Sequence, residues 1–268
     1  MKIGFITKLG ILFVLLFFIA GLFAPWLSSH SPQETPITER FHPPSSSHWL
    51  GQDHLGGDIY SKILYGARIS LVVAVASTFF CFLIGLILGT SAGYFGGWWD
   101  ESLMRLVDIL LAFPGLLLVF ALAAFLPPSI FNVIFIFSAV GWTGFARLAR
   151  GQVLVEKEKE YIQASRAIGA PTTTILYRHI VPNIISPLIV QATFSMGGII
   201  IGESSLSFLG IGVPPDIPSW GNMLFQAKQS GFQPYFVSIF PGLAIMLSVL
   251  SFNIIGDGLR DYWDPKLD

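Results

Sequence analysis

Residues able to do chemistry are sparse in this chain and gather in three places. His30, His42, His48 and His54 share one polar segment with Asp53 and Asp58. Imidazole and carboxylate together can hold a transition metal, but this spacing matches no defined site, and the segment reads as a solvated loop with incidental histidines. Arg105 and Asp108 stand about one helical turn apart and can pair. With Glu203 and Asp257 they are the charges at the ends of apolar runs, where an ionisable group marks a pathway or a brace. For Glu203 the plain alternative is a carboxylate capped by Ser204 and Ser205. The third place is the polar stretch from Glu156 to Asn183.

Catalytic signatures are missing from the sequence. It has no G-x-x-x-x-G-K-[ST] phosphate loop, no G-x-S-x-G elbow and no H-E-x-x-H helix. Residues 202–205, GESS, lack the glycine that an elbow needs after its serine. No nucleophile–base pair is visible, which counts against a membrane-embedded enzyme. No relay of proton-carrying groups crosses the middle of an apolar run, and no internal repeat of fixed period is found; the lack of a repeat counts against an inverted-repeat secondary transporter.

The elements that position these residues follow from composition. Of 268 residues 53% are hydrophobic and 12% charged, and mean hydropathy is +0.69. A soluble domain carries about twice that share of charge, so an all-α polytopic membrane protein is expected. A net charge of -1 argues against a nucleic-acid partner. The single cysteine, Cys81, excludes an internal disulfide and a thiolate metal cluster.

Six apolar runs are long enough to cross a bilayer: Leu9 to Leu27, Ile69 to Thr90, Leu103 to Leu126, Ile130 to Ala146, Ile184 to Phe208 and Tyr235 to Gly256. The first reads as an uncleaved span, because no small-x-small site follows its core. Residues 28–65 form a polar external segment. Trp98 and Trp99 suit an interfacial belt. Gly85, Gly89, Gly197, Gly198 and Gly202 suit close helix packing. Six spans place both termini and the polar stretch on one side. That side holds eleven of the Lys and Arg residues, Lys2 and Lys266 among them, and the other holds four, Arg40, Lys62, Arg68 and Lys228. The positive-inside rule then makes the polar stretch cytoplasmic.

Within that stretch Tyr161, Ala164, Ser165 and Ile168 fall at helical spacing and are followed by Gly169. Glycine closes a helix in the left-handed conformation, and Pro171 suits the first turn of the next. The spacing predicts a helix, a turn at Gly169-Ala170, and a second helix from about Pro171. Such a hairpin is a handle that another protein can grip. Pattern alone does not separate it from an ordinary Lys- and Arg-rich loop.

Here the sequence resembles the inner-membrane permeases of binding-protein-dependent ABC importers, and within them the second (C-type) permease of the dipeptide/oligopeptide/nickel branch. The family loop E-A-A-x-x-x-G is matched by Gln163-Ala164-Ser165 and Gly169, then by residues 179–183, HIVPN, which end in Pro182-Asn183. Residues 48–70, HWLGQDHLGGDIYSKILYGARIS, are similar to the branch's H-x-L-G-T-D-x-x-G-R-D block. Residues 202–224 are similar to E-x-S-L-S-F-L-G-x-G, and residues 252–265 to N-x-x-G-D-x-L-R-D-x-x-D-P. Gln163 replaces the loop's glutamate, Gln52 a threonine, and Gly57 an arginine. The first 47 residues match only in layout.

The resemblance implies a six-helix ABC importer type I permease fold, with residues 1–65 as a first span and external segment and residues 66–265 as the permease domain. It implies a non-catalytic subunit forming half of a pathway for peptides across a bacterial or archaeal cytoplasmic membrane. A nickel or metal-chelate importer of the same branch, or a proton-driven secondary transporter, is the alternative. The partners implied are a second homologous permease, two ATP-binding subunits that hold ATP and Mg, an external substrate-binding protein, and membrane lipid. No cofactor is expected in this chain. The loop at 150–183 becomes the coupling element. There Tyr161 and Ile168 offer apolar contact, Ala164, Ser165 and Ala167 allow close approach, and Gln163 and Gly169 complete the motif. Arg105, Asp108, Pro182, Asn183, Glu203 and Asp257 remain structural or pathway candidates.

Overall fold

The computed structural model describes residues 4–34 and 37–263. Lys2, Lys266 and the Asp264-Pro265 end of the last motif lie outside the described residues. Among the described residues the architecture is helical: α1 (Phe5–Leu22), α2 (Ala24–Leu27), α3 (Ile59–Phe95), α4 (Gly97–Ala112), α5 (Gly115–Ala124), α6 (Ile130–Glu156), α7 (Glu160–Ala167), α8 (Thr172–Thr174), α9 (Val181–Phe208), α10 (Trp220–Gln229) and α11 (Phe236–Trp263). A π-helical turn, Ile175–Ile180, joins α8 to α9, so the two make one continuous rod. Five helices are long and apolar enough to cross a membrane, and α4 with α5 forms a sixth candidate bent by 85°.

Several ends differ from expectation, for local reasons. The first span stops at Leu22 and restarts at Ala24, because Pro25 lies in the first turn of α2 and cannot continue the α1 ladder. The second helix starts at Ile59, ten residues before its apolar run, where the Asp58 side chain accepts from Ser61 N at 2.8 Å. The third run is not one helix. Pro114 drives Phe113 into extended backbone (φ -85°, ψ 141°) and the chain turns sharply. The fourth helix continues past Arg147 and Arg150 to Glu156.

The core sits where small residues let backbones meet. Gly85, Gly89 and Gly93 line α3 at four-residue spacing against Trp142, Phe145, Ala146, Arg150 and Val153 of α6. A Cβ on Gly89 would lie 2.3 Å from the Ala146 carbonyl, so only glycine fits there. This is small-residue helix packing of the kind that operates without water to drive it. Gly197 and Gly202 likewise meet Asn253 with Val249 and Phe137, whereas Gly198 faces open space and packs against nothing. Outward surfaces stay apolar, with Leu12, Phe79, Phe131 and Leu250 exposed, as lipid contact requires.

Candidate functional site

The hairpin stands on the extended ends of α3 and α6. The chain leaves α6 at Glu156, makes α7, turns, and re-enters the bundle through α8 and the π-turn. α7 buries one residue, Ile162, into a cluster with Phe145, Ala149, Val153, Ile175, Ile180 and Ile184. The rest of α7 stays at the surface.

The turn has the geometry its sequence calls for. Gly169 has φ +76°, its N–H donates to Arg166 O at 3.0 Å, and Ala170 N donates to Ser165 O at 3.1 Å. These two bonds are the Schellman arrangement, which satisfies carbonyls that a helix end would leave bare. Pro171 caps the next helix in extended conformation just before its first turn. Ile168 sits at the tip with 85% of its surface exposed. Tyr177, on the π-turn, is also exposed.

Polar contacts hold this tip in place. The Tyr161 hydroxyl donates to the Glu156 carboxylate, and Asn183 Nδ2 donates to the Tyr161 oxygen at 3.2 Å and to His179 O at 2.6 Å. Lys159 Nζ pairs with the other Glu156 oxygen at 2.7 Å. Partial burial of Tyr161 and its bond to Glu156 push its hydroxyl up to about 12, so it remains a donor at neutral pH. Lys157 Nζ reaches Gly93 O on α3 at 2.8 Å, and the Arg166 guanidinium lies 4.8 Å from the centre of the Tyr94 ring. Gln163 bonds back to Glu158 O at 3.1 Å. Ala164, Ala167 and Gly169 are exposed and Ser165 half-exposed, so the small residues do form an open, low-relief face. Pro182 stands at the second position of α9, directly after the π-turn.

The expected pairing of Arg105 with Asp108 is not formed. Arg105 bonds Glu101 one turn back at 2.6 Å, and Asp108 reaches across to Arg147 on α6. Asp100 takes a two-pronged bond from Arg150, both arms at 2.7 Å. Extending α6 past its apolar run brings both arginines opposite the acids of α4, which spacing within one run does not reveal. Asp257 is exposed near the end of α11 and has no ion pair among the described residues.

At the other end of the bundle Glu203 is fully buried and accepts from Ser70 Oγ at 3.0 Å and Ser207 Oγ at 2.9 Å, with Ser204 Oγ at 3.5 Å. The expected partner Ser205 instead bonds its own helix at Ile201 O. Ser207 Oγ also accepts from Val213 N, so Glu203 braces the loop before α10. That loop is tied further by Asn222, whose amide donates to Val213, Pro214 and Ile217 carbonyls, and by Trp220, which bonds Ile63 O.

Beside it the polar segment contains a buried ion pair, Asp53–Lys62. The absence of the family's arginine at 57 does not leave this block without a cation. Lys62 supplies one from α3, and a Cβ on Gly57 would lie 2.6 Å from its ammonium nitrogen. Glu156, Lys62, Ser70 and Ser207 have no role in the sequence reading, and Asp53 appears there only as a member of the histidine segment. The one available hint was Ser207, placed four residues after Glu203 on a helix.

A profile described as "binding-protein-dependent transport system inner membrane component" matches residues 85–268. The dipeptide transport system permease protein DppC of Alkalihalophilus pseudofirmus is 42% identical over 258 residues, 96% of this chain and 85% of that protein. The glutathione transport system permease proteins GsiD of Pectobacterium atrosepticum and Escherichia coli O157:H7 are 45% identical over 257 residues, with the same coverage. A structure of the MetNI methionine ABC transporter in an inward-facing conformation shares the fold, with TM-score 0.61, 20% identity and coverage of 76% of this chain and 97% of that one. Proteins of this kind work with a second permease, ATP-binding subunits and a binding protein. A matched profile over most of the chain, relatives this similar along nearly all of it, and a handle that projects from a non-catalytic bundle agree: the chain belongs to the family of binding-protein-dependent inner-membrane components, as the permease subunit of an ABC importer whose ATP hydrolysis lies in separate subunits.

Proposed function

We propose that this chain is one of two permeases lining the pathway of a peptide importer, with α7 and its turn as the cytoplasmic surface gripped by one of two ATP-binding subunits. The observation that carries this reading is the exposed Ile168–Gly169 tip on a rigidly braced base. An apolar residue held out by hydrogen bonds, not left on a loose loop, can transmit a push in either direction. Closure of an ATP-bound dimer acts on the tip, and the Glu156–Tyr161–Asn183 contacts pass the displacement into α6 and α9. On this reading ATP and Mg belong to the partners, and the distribution of eleven and four basic residues supports a cytoplasmic hairpin and termini. The division into a first span with external segment (1–65) and a permease domain (66–265) falls inside α3, which runs unbroken from Ile59 to Phe95.

Peptide cargo is supported by the relatives named for dipeptide and glutathione transport. Residues lining the pathway come from two chains, so cargo is tested on the assembled importer. Uptake of labelled dipeptide, glutathione and nickel into vesicles containing the complete importer should favour a peptide; uptake of nickel alone overturns that choice.

Coupling is tested with Ile168→Cys, since the native thiol at Cys81 is buried in the core. The new thiol should be modified by reagents added from the cytoplasmic side and should crosslink to the ATP-binding subunit. Labelling only from outside overturns the assignment.

A further inference from the structure

The polar segment that reads as a loop with incidental histidines is not a loose assembly. His30, which follows α2, stacks on His48 with ring centres 4.4 Å apart and planes at 29°. His48 Nδ1 lies 3.0 Å from Asp58 Oδ1, at the start of α3. One ligand atom from each of the three residues falls within 4.8 Å of the others. Three residues separated by 18 and 10 positions therefore converge on one point.

We propose that His30, His48 and Asp58 form a binding site for one divalent transition cation of the class that accepts imidazole, zinc or nickel by chemistry. The site clamps the segment after α2 to the first turn of α3. In a tetrahedral site with metal–ligand bonds of about 2.0–2.2 Å, ligand atoms stand about 3.3 Å apart. The His48–Asp58 edge already has nearly that length, and a small rotation of half-buried His30 closes the other edges.

Two further observations point to a ligand. His30 Nδ1 is shut off from solvent and has no hydrogen-bond partner among the described residues. Buried nitrogens are seldom left in that state, and a cation or its bound water supplies what this ring lacks. Asp58 is buried, and its second oxygen is occupied by Ser61 N at 2.8 Å and Ser61 Oγ at 2.6 Å. Those bonds fix the carboxylate so that Oδ1 faces the imidazoles, as outer-shell partners do around metal ligands. Binding leaves His48 with its proton on Nε2 and frees Nδ1 to coordinate. Two imidazoles and one carboxylate leave at least one position for water, and the donor set excludes magnesium and calcium as favoured occupants.

The test uses the full chain in its assembled importer, in lipid nanodiscs, with any affinity tag removed and metal stripped by chelator. Equilibrium dialysis against zinc alone and against nickel alone, with metal counted per chain, should show one ion retained. His30→Ala should weaken retention at least as much as loss of an outer-shell partner does, about 10- to 100-fold. Asp58→Asn, which keeps the helix cap, should weaken it likewise, while His42→Ala and His54→Ala leave it unchanged. Far-ultraviolet circular dichroism of each variant confirms that it is folded. Retention of neither ion, equal retention by His30→Ala, or loss of binding in His54→Ala each overturns the proposal.

Discussion

The two ends of this bundle use polar residues in opposite ways. At the hairpin end the charges sit at the rim: Glu101, Arg105, Asp108 and Arg147 are largely exposed, and the apolar Ile168 is pushed outward. At the other end Glu203, Asp53, Lys62 and Asp58 are buried with partners of their own. At the hairpin end most charges stay in water, Glu156 excepted, and the exposed Ile168 suits the docking role proposed above. A surface whose charges are already satisfied is built to hold itself together, and here it holds the loop before α10 and the start of α3. The difference separates docking from bracing more clearly than any single motif does.

Mutations should show that contrast directly. The largest effect is expected at the sealed end. Lys62→Ala leaves Asp53 buried without its partner, a change that costs about 3–5 kcal/mol. Thermal unfolding of the purified protein should show it, and a double Asp53→Asn, Lys62→Met variant should recover most of the loss. Unchanged stability in Lys62→Ala would erase the distinction between the two ends.

At the hairpin, Tyr161→Phe removes a donor to a carboxylate, worth about 1.5–3 kcal/mol. The loss should appear as faster amide exchange over residues 156–168, with uptake falling while ATP turnover persists. Faster exchange across the whole bundle would mean that Tyr161 supports the fold and does not serve the handle.

Gly169→Val meets no neighbour within 4 Å, so its cost is backbone strain alone, about 1–2 kcal/mol. Transport should drop, and Gly169→Asn, which tolerates positive φ, should retain more of it. Equal transport by the two variants would remove the left-handed turn from the mechanism. The smallest effect belongs to Arg105→Ala. Its exposed pair with Glu101 is worth about 0.2–1 kcal/mol, so melting temperature should barely move. A large shift there would mean that the rim is not as wet as the geometry says.

Much of the handle was legible because its signals are local. Helical spacing from Tyr161 to Ile168, glycine at 169 and proline at 171 act over a few residues, and the structure forms the turn they call for. Membrane runs were legible for the same reason, since apolarity needs no partner to be recognised. Helix ends were less so. Caps at Asp58 and breaks at Pro25 and Pro114 decide them, and the ends of α3 and α6 outside the apolar runs are carried by contacts with other elements. The pairing of Arg105 with Asp108 failed because each had a better partner elsewhere, one of them on a different helix.

By itself the sequence determined the class of molecule, the number of candidate spans, and the place of the polar hairpin as a chain position. It did so because hydropathy and backbone preference are properties of residues and their immediate neighbours. Only the tertiary structure decided who meets whom: Ser70 with Glu203, Lys62 with Asp53, His30 with His48 and Asp58, and Arg150 with Asp100. Those meetings depend on how helices cross, and the crossing is set by close approach at residues such as Gly89, where the neighbour that needs the space lies 57 positions away at Ala146.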